Sequence, residues 1–88
     1  MRTVIESHVY TQQLANIQSN PYLRDQMDAA IKSVLGQDPT KGRRTAIDGM
    51  WEIATDAVAS LPRLLINFMF NSLTVTLLTV NVLGGGAL

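Results

Sequence analysis

The chain contains no cysteine, only one histidine, and no charged residue from Leu64 to its end. Without cysteine there are no disulfides, thiolate metal sites or thiol nucleophiles, and residue usage does not report a redox compartment. His8 is the single histidine, so one chain cannot supply a multi-histidine metal centre. The third absence organises the rest. The 7 basic and 7 acidic residues cancel, and all of them lie between Arg2 and Arg63. That segregation is the pattern of a chain that meets two different solvents.

The uncharged stretch Leu64–Leu83 reads LLINFMFNSLTVTLLTVNVL and also lacks proline and glycine. Roughly 20 apolar residues is the length that crosses a bilayer as a helix. A strand signal competes with this, because SLTVTLLTVNVL is rich in Val and Thr and partly alternates. The alternation changes phase at Leu77-Leu78, whereas a helical period persists. Asn67, Asn71, Thr74, Leu78 and Asn81 advance in steps of 4, 3, 4 and 3, one stripe at about 100° per residue. A transmembrane helix is therefore the expectation for residues 62–83, followed by a Gly-rich end at 84–88. A primary amide facing lipid costs several kcal/mol. Asn67, Asn71, Thr74 and Asn81 are accordingly predicted to contact another helix. Lys41, Arg43, Arg44 and Arg63 all precede the stretch, and the positive-inside tendency then places the N-terminal part in the cytoplasm.

Residues 1–61 read as a small helical head. Thr3 and Glu6 have capping-box spacing, which predicts a first helix over about 4–18. Asn20-Pro21 caps and opens a second, with Leu23, Met27, Ala30, Ile31 and Val34 on one face and Gly36 at its left-handed end. Thr45 and Asp48 repeat the capping-box spacing, which predicts a third over about 46–60, with Ile47, Met50, Trp51, Ala54 and Val58 inward. The predicted class is all-α: two to three short amphipathic helices, then one apolar, transmembrane helix.

The chemistry of catalysis is missing from this pattern. Glu6, Ser7 and His8 are adjacent, whereas a nucleophilic triad converges from separate elements. No catalytic residue, cofactor or metal ligand is assigned. The one basic cluster, Lys41, Arg43 and Arg44, is a candidate contact for anionic lipid or phosphate, with nucleic acid the weaker alternative. The opening residues RTVIESHVYTQQL resemble the start of RelE-like toxins over about a sixth of the chain and without a catalytic motif. Such toxins end in basic strands, while this chain ends in an uncharged apolar segment, and no family is assigned.

The expected function is a non-enzymatic structural subunit of a membrane-associated complex, such as a virion or a secretion-type machine. Its partners are other protein subunits, copies of itself included, and the lipid bilayer. One alternative is a holin-like homo-oligomeric pore lined by the Asn stripe. Another is a soluble phage capsid or tail protein with the apolar segment buried between subunits.

Overall fold

The uncharged stretch forms two strands of a sheet rather than a membrane helix. A computed structural model describes residues 1–55 and 62–83. In chain order the elements are β1 (Thr3–Glu6), α1 (His8–Ile17), α2 (Pro21–Gln37), a 3-10 turn (Pro39–Lys41), β2 (Arg43–Arg44), β3 (Trp51–Ala54), β4 (Leu64–Phe70) and β5 (Thr74–Val82). The strands form one sheet in the order β1-β5-β4-β3-β2, with β1 parallel to β5 and every other pair antiparallel. The architecture is α+β, which overturns the all-α expectation. No helix among the described residues is long and apolar enough to cross a membrane.

The apolar run is long because it holds two central strands and the turn between them. Asn71 supplies the turn that glycine or proline would otherwise signal. Its side-chain Oδ1 accepts from the Leu73 and Thr74 amides, both at 2.8 Å, and its own amide donates to Thr74 O at 2.9 Å. This is the side-chain-closed turn that Asn favours. On either side the alternation is that of half-buried strands. Leu64, Ile66 and Phe68 of β4, with Val75, Leu77 and Val80 of β5, are buried against the helices. Burying each such side chain contributes about 1.5–3 kcal/mol. The β-branched and aromatic content of both segments suits a pleated, half-buried surface.

The phase change at Leu77-Leu78 is a β-bulge. Asn67 pairs with Thr79 and Phe68 pairs with Leu77, so Leu78 has no partner on β4. One extra residue turns Val80 back to the core, three positions after Leu77 rather than two. β1 ends opposite Leu77, so backbone groups of β5 at and after the bulge have no strand on that side, and Ser7 and α1 serve them. The Ser7 hydroxyl donates to Leu78 O at 2.8 Å, and Gln13 Oε1 accepts from the Val80 amide at 2.8 Å. Ser7 Oγ is also the N-cap of α1, accepting from the Tyr10 amide at 3.1 Å.

Ser7 therefore overrides the Thr3/Glu6 capping box. Residues 3–6 pair with Thr74, Val75, Thr76 and Leu77 as β1, and the helix begins at His8. In α2, Asn20 caps as its sequence suggests, accepting from the Tyr22 and Leu23 amides. Gly36 is not a left-handed terminus. It lies within the helix, buried, where an added Cβ would come within 3.3 Å of Arg2 O. The predicted third helix is absent from the described part of its range: Trp51–Ala54 is β3, and Gly49 takes a positive φ of 79° in the β2–β3 loop. Residues 56–61 of that range, Val58 included, lie outside the described residues.

Replacing Ser7 with Ala removes a helix cap and a donor to the bulge at once. The expected loss of unfolding free energy is about 1–3 kcal/mol by urea denaturation, with Ser7→Thr retaining most of the stability.

Candidate functional site

The two helices cover the sheet unevenly. Tyr10 and Leu14 of α1 and Met27, Ile31 and Leu35 of α2 complete the core over β5 and β4. Beyond α2, toward β3, the described residues leave the same face of the sheet open as a groove of about 610 Å³. Met27, Ala30, Ile31 and Val34 form one wall, and Ile53, Leu64 and Ile66 form the floor. Val34 is 41% exposed, unusual for a residue on the apolar face of a helix. Among the lining residues Lys41 carries the one charge, and Gln26 and Thr55 are the other polar members. The Thr55 hydroxyl is already used, accepting from the Leu64 amide at 2.8 Å.

The basic cluster is fixed beside this groove by a close backbone approach. An added Cβ on Gly42 would lie 2.7 Å from Glu52 O and 2.7 Å from the Phe68 ring. Lys41, Arg43 and Arg44 are then sent to three different neighbours. Lys41 lines the groove. Arg43 Nε donates to Glu52 Oε1 at 2.7 Å. The Arg44 guanidinium lies 5.6 Å from the Trp51 ring centroid, within cation–π range. Arg2, which the sequence did not single out, holds the equivalent position 5.5 Å over Phe70. Trp51 and Phe70 meet edge to face with centroids 5.1 Å apart.

The Asn/Thr stripe also takes new positions. Asn71 is spent on the turn, and its Oδ1 accepts from the Thr74 side chain as well. Asn67 lies on the sheet face away from the helices, where Oδ1 accepts from Thr79 Oγ1 at 3.2 Å and Nδ2 contacts Met50 Sδ at 3.6 Å. Asn81 is exposed near the end of β5. The membrane helix was the reason to seat these residues against a second helix, and that reason is gone.

Sequence spacing predicts the i, i+4 pair Asp28–Lys32, which forms, but not the cluster built around it, whose members come from three elements. Lys32 Nζ is 2.7 Å from Glu6 Oε1 of β1 and 2.7 Å from Asp28 Oδ2, while Tyr10 Oη donates to Asp28 Oδ1 at 2.8 Å. The hydrogen bond from Lys32 holds the Glu6 carboxyl below its usual value. Burial opposes the Lys32 charge, but Asp28 and Glu6 outweigh it and raise the Lys32 pKa. Burial, reinforced by the Asp28 carboxylate, pushes the Tyr10 hydroxyl far above its ordinary range. Each group is satisfied by another, so the cluster ties β1, α1 and α2 together. Glu6 and Ser7, neighbours in the chain, are an ion-pair member and a helix cap. No group of three or more His, Cys, Asp or Glu side chains suited to a metal occurs among the described residues.

Fold and groove together define the chain as a small α+β domain whose two helices, among the described residues, cover only part of one sheet face. Comparison with family models, curated proteins and solved structures found no match.

The ionic cluster gives stability a predictable pH dependence. Folding lowers the Glu6 pKa, so its contribution is complete above the unfolded carboxylate value of about 4.3 and disappears as pH falls through the folded value. Folding raises those of Lys32 and Tyr10, so their contributions are complete below about 10 and are lost as pH rises further. Urea midpoints measured across pH should fall on both sides of a neutral plateau. Lys32→Met should flatten the acid limb, because Glu6 then has no depressed pKa to lose, and Tyr10→Phe should flatten the alkaline limb.

Proposed function

We propose that this chain is a non-enzymatic assembly subunit that holds a segment of another protein in the groove between α2 and the β3–β4 strands. The groove itself carries the reading: it is an apolar trough with a single cation at its margin, on a sheet whose helical layer stops short. Interfaces of this kind recognise an amphipathic helix through a row of apolar anchors. The α2 wall from Gln26 to Leu35 rises about 14 Å at 1.5 Å per residue, which matches two to three turns of a partner helix. Such a helix would present apolar residues at i, i+3 or i+4, and i+7. A carboxylate at one end would meet Lys41, for which no ion pair is present among the described residues.

A virion or a secretion-type machine is a host in which such a subunit would serve. The pore and the bilayer anchor are not carried forward, because both required the helix that β4 and β5 replace. The resemblance of the opening residues to RelE-like toxins does not alter this reading. The end of the chain does form strands, but β4 and β5 hold no basic residue.

Synthetic amphipathic peptides with Glu or with Lys at the end that meets Lys41 provide the test. The Glu peptide is expected to shift the amide resonances of Ala30, Ile31, Val34 and Ile53. Val34→Asp should weaken it by about tenfold or more without lowering the thermal midpoint, and Lys41→Glu should reverse the preference between peptides. Failure of both peptides to shift any groove resonance would overturn the proposal.

A further inference from the structure

We propose that the sheet face opposite the helices is the contact between two copies of this chain. It lies on the far side of the sheet from the groove, so this inference and the previous one stand or fall separately.

The face is exposed yet almost without charge. β4 and β5 contain no charged residue, and the one on β1, Glu6, turns to the helix side to meet Lys32. What remains outward includes Ile5, Leu65, Asn67, Met69, Thr76 and Leu78, with Ile5 and Met69 each 46% exposed. At the margin, Arg43 and Glu52 neutralise each other at 2.7 Å. A soluble sheet face exposed to water ordinarily alternates apolar-in with polar-out, and charges dominate its outer side. Here the outer side is a mixture of aliphatic, amide and hydroxyl groups, the composition of the middle of an interface rather than its rim.

Charge and hydrogen-bonding chemistry select a second copy as the occupant. The chain has a net charge of zero, so copies do not repel at long range. Among the described residues only Arg63, exposed at the start of β4, offers this face a charge without an ion pair, so a partner face rich in charge would bury most of it uncompensated, which is strongly unfavourable. Asn and Thr side chains each donate and accept, so the same patch can complement itself across a two-fold axis. The bulge serves the same end: Leu78 is added to the outward surface while Val80 is kept for the core.

The area is sufficient. β1, β3, β4 and β5 hold 4, 4, 7 and 9 residues, and at about 3.4 Å per residue and 4.8 Å per strand they present a footprint of about 390 Å². A corrugated face of that footprint removes on the order of 500–600 Å² per copy, the lower margin of stable protein interfaces. Two such sheets stack about 10 Å apart with their strands about 30° off parallel. The resulting dimer is expected to dissociate in the micromolar range.

Sedimentation equilibrium of the full chain over a concentration series tests the proposal, with two-dimensional NMR over the same series. The expected result is a monomer–dimer equilibrium whose concentration-dependent shifts fall on Asn67, Met69 and Thr76. Met69→Lys with Thr76→Lys should weaken association by about a hundredfold or more, because like charges then meet across the two-fold axis. Thermal unfolding at concentrations where the parent is monomeric reports whether that variant still folds. Val34→Lys, in the groove, should leave the dimer intact. A chain that remains monomeric into the millimolar range would overturn the inference. So would concentration-dependent shifts confined to Ala30 and Val34, whether or not the lysine variant folds.

Discussion

The backbone at Leu78 is the constraint on which the rest of this fold depends. A nine-residue strand that faces the core at Val75 and Leu77 would turn Val80 outward if its alternation were strict. One inserted residue corrects the phase, and because β1 ends opposite Leu77, the Leu78 carbonyl and the Val80 amide have no strand partner on that side of β5. A buried backbone group left unpaired loses free energy comparable to a whole hydrogen bond. The Ser7 hydroxyl and the Gln13 amide oxygen remove that penalty. In doing so they fix where α1 starts, how it lies on β5, and why residues 3–6 are a strand rather than a first helical turn.

From that anchor the covering of the sheet follows. α1 is tied to the β5 end by the bulge, and α2 is tied to α1 and β1 through Tyr10, Asp28, Lys32 and Glu6. Both helices are thereby held over one half of the sheet. Among the described residues no helix covers the apolar floor toward β3, and no element crosses the opposite face. A chain of 88 residues has little surface to spare from its core, so two uncovered apolar areas are a substantial departure from a self-sufficient domain. They are the physical basis for proposing that the molecule works in an assembly.

Its cations are distributed in the same spirit. Arg43 neutralises Glu52, while Arg2 and Arg44 lie over aromatic rings of the same chain. An arginine stacked on its own aromatic neighbour covers apolar surface as well as carrying charge. Three basic residues that look like one patch along the sequence are thus three separate contacts in space. Lys41 alone is directed to the groove.

The local signals were readable where a single element decides them. Asn20-Pro21 announces α2, and the face Met27, Ile31 and Val34 is the face α2 turns toward sheet and groove. The apolar tail was legible as a segment that must be buried, but its form was not. Its helical stripe of Asn67, Asn71, Thr74 and Asn81 was a coincidence of a turn residue with open-face strand residues. The break in its alternation was a bulge. Neither the bulge nor the turn contains glycine or proline, the residues that most often reveal them. The groove had no sequence signature, and the ionic cluster showed only its i, i+4 pair Asp28–Lys32, because each gathers residues from elements far apart in the chain. The sequence by itself determined which segments are apolar, where α2 begins, and that no charge enters the last strands. Tertiary structure alone decided strand over helix, since an uncharged run satisfies its backbone either within itself or against neighbouring strands. Only with β1, β3 and the side chains of α1 in place does the second solution pair the groups that the first would pair alone.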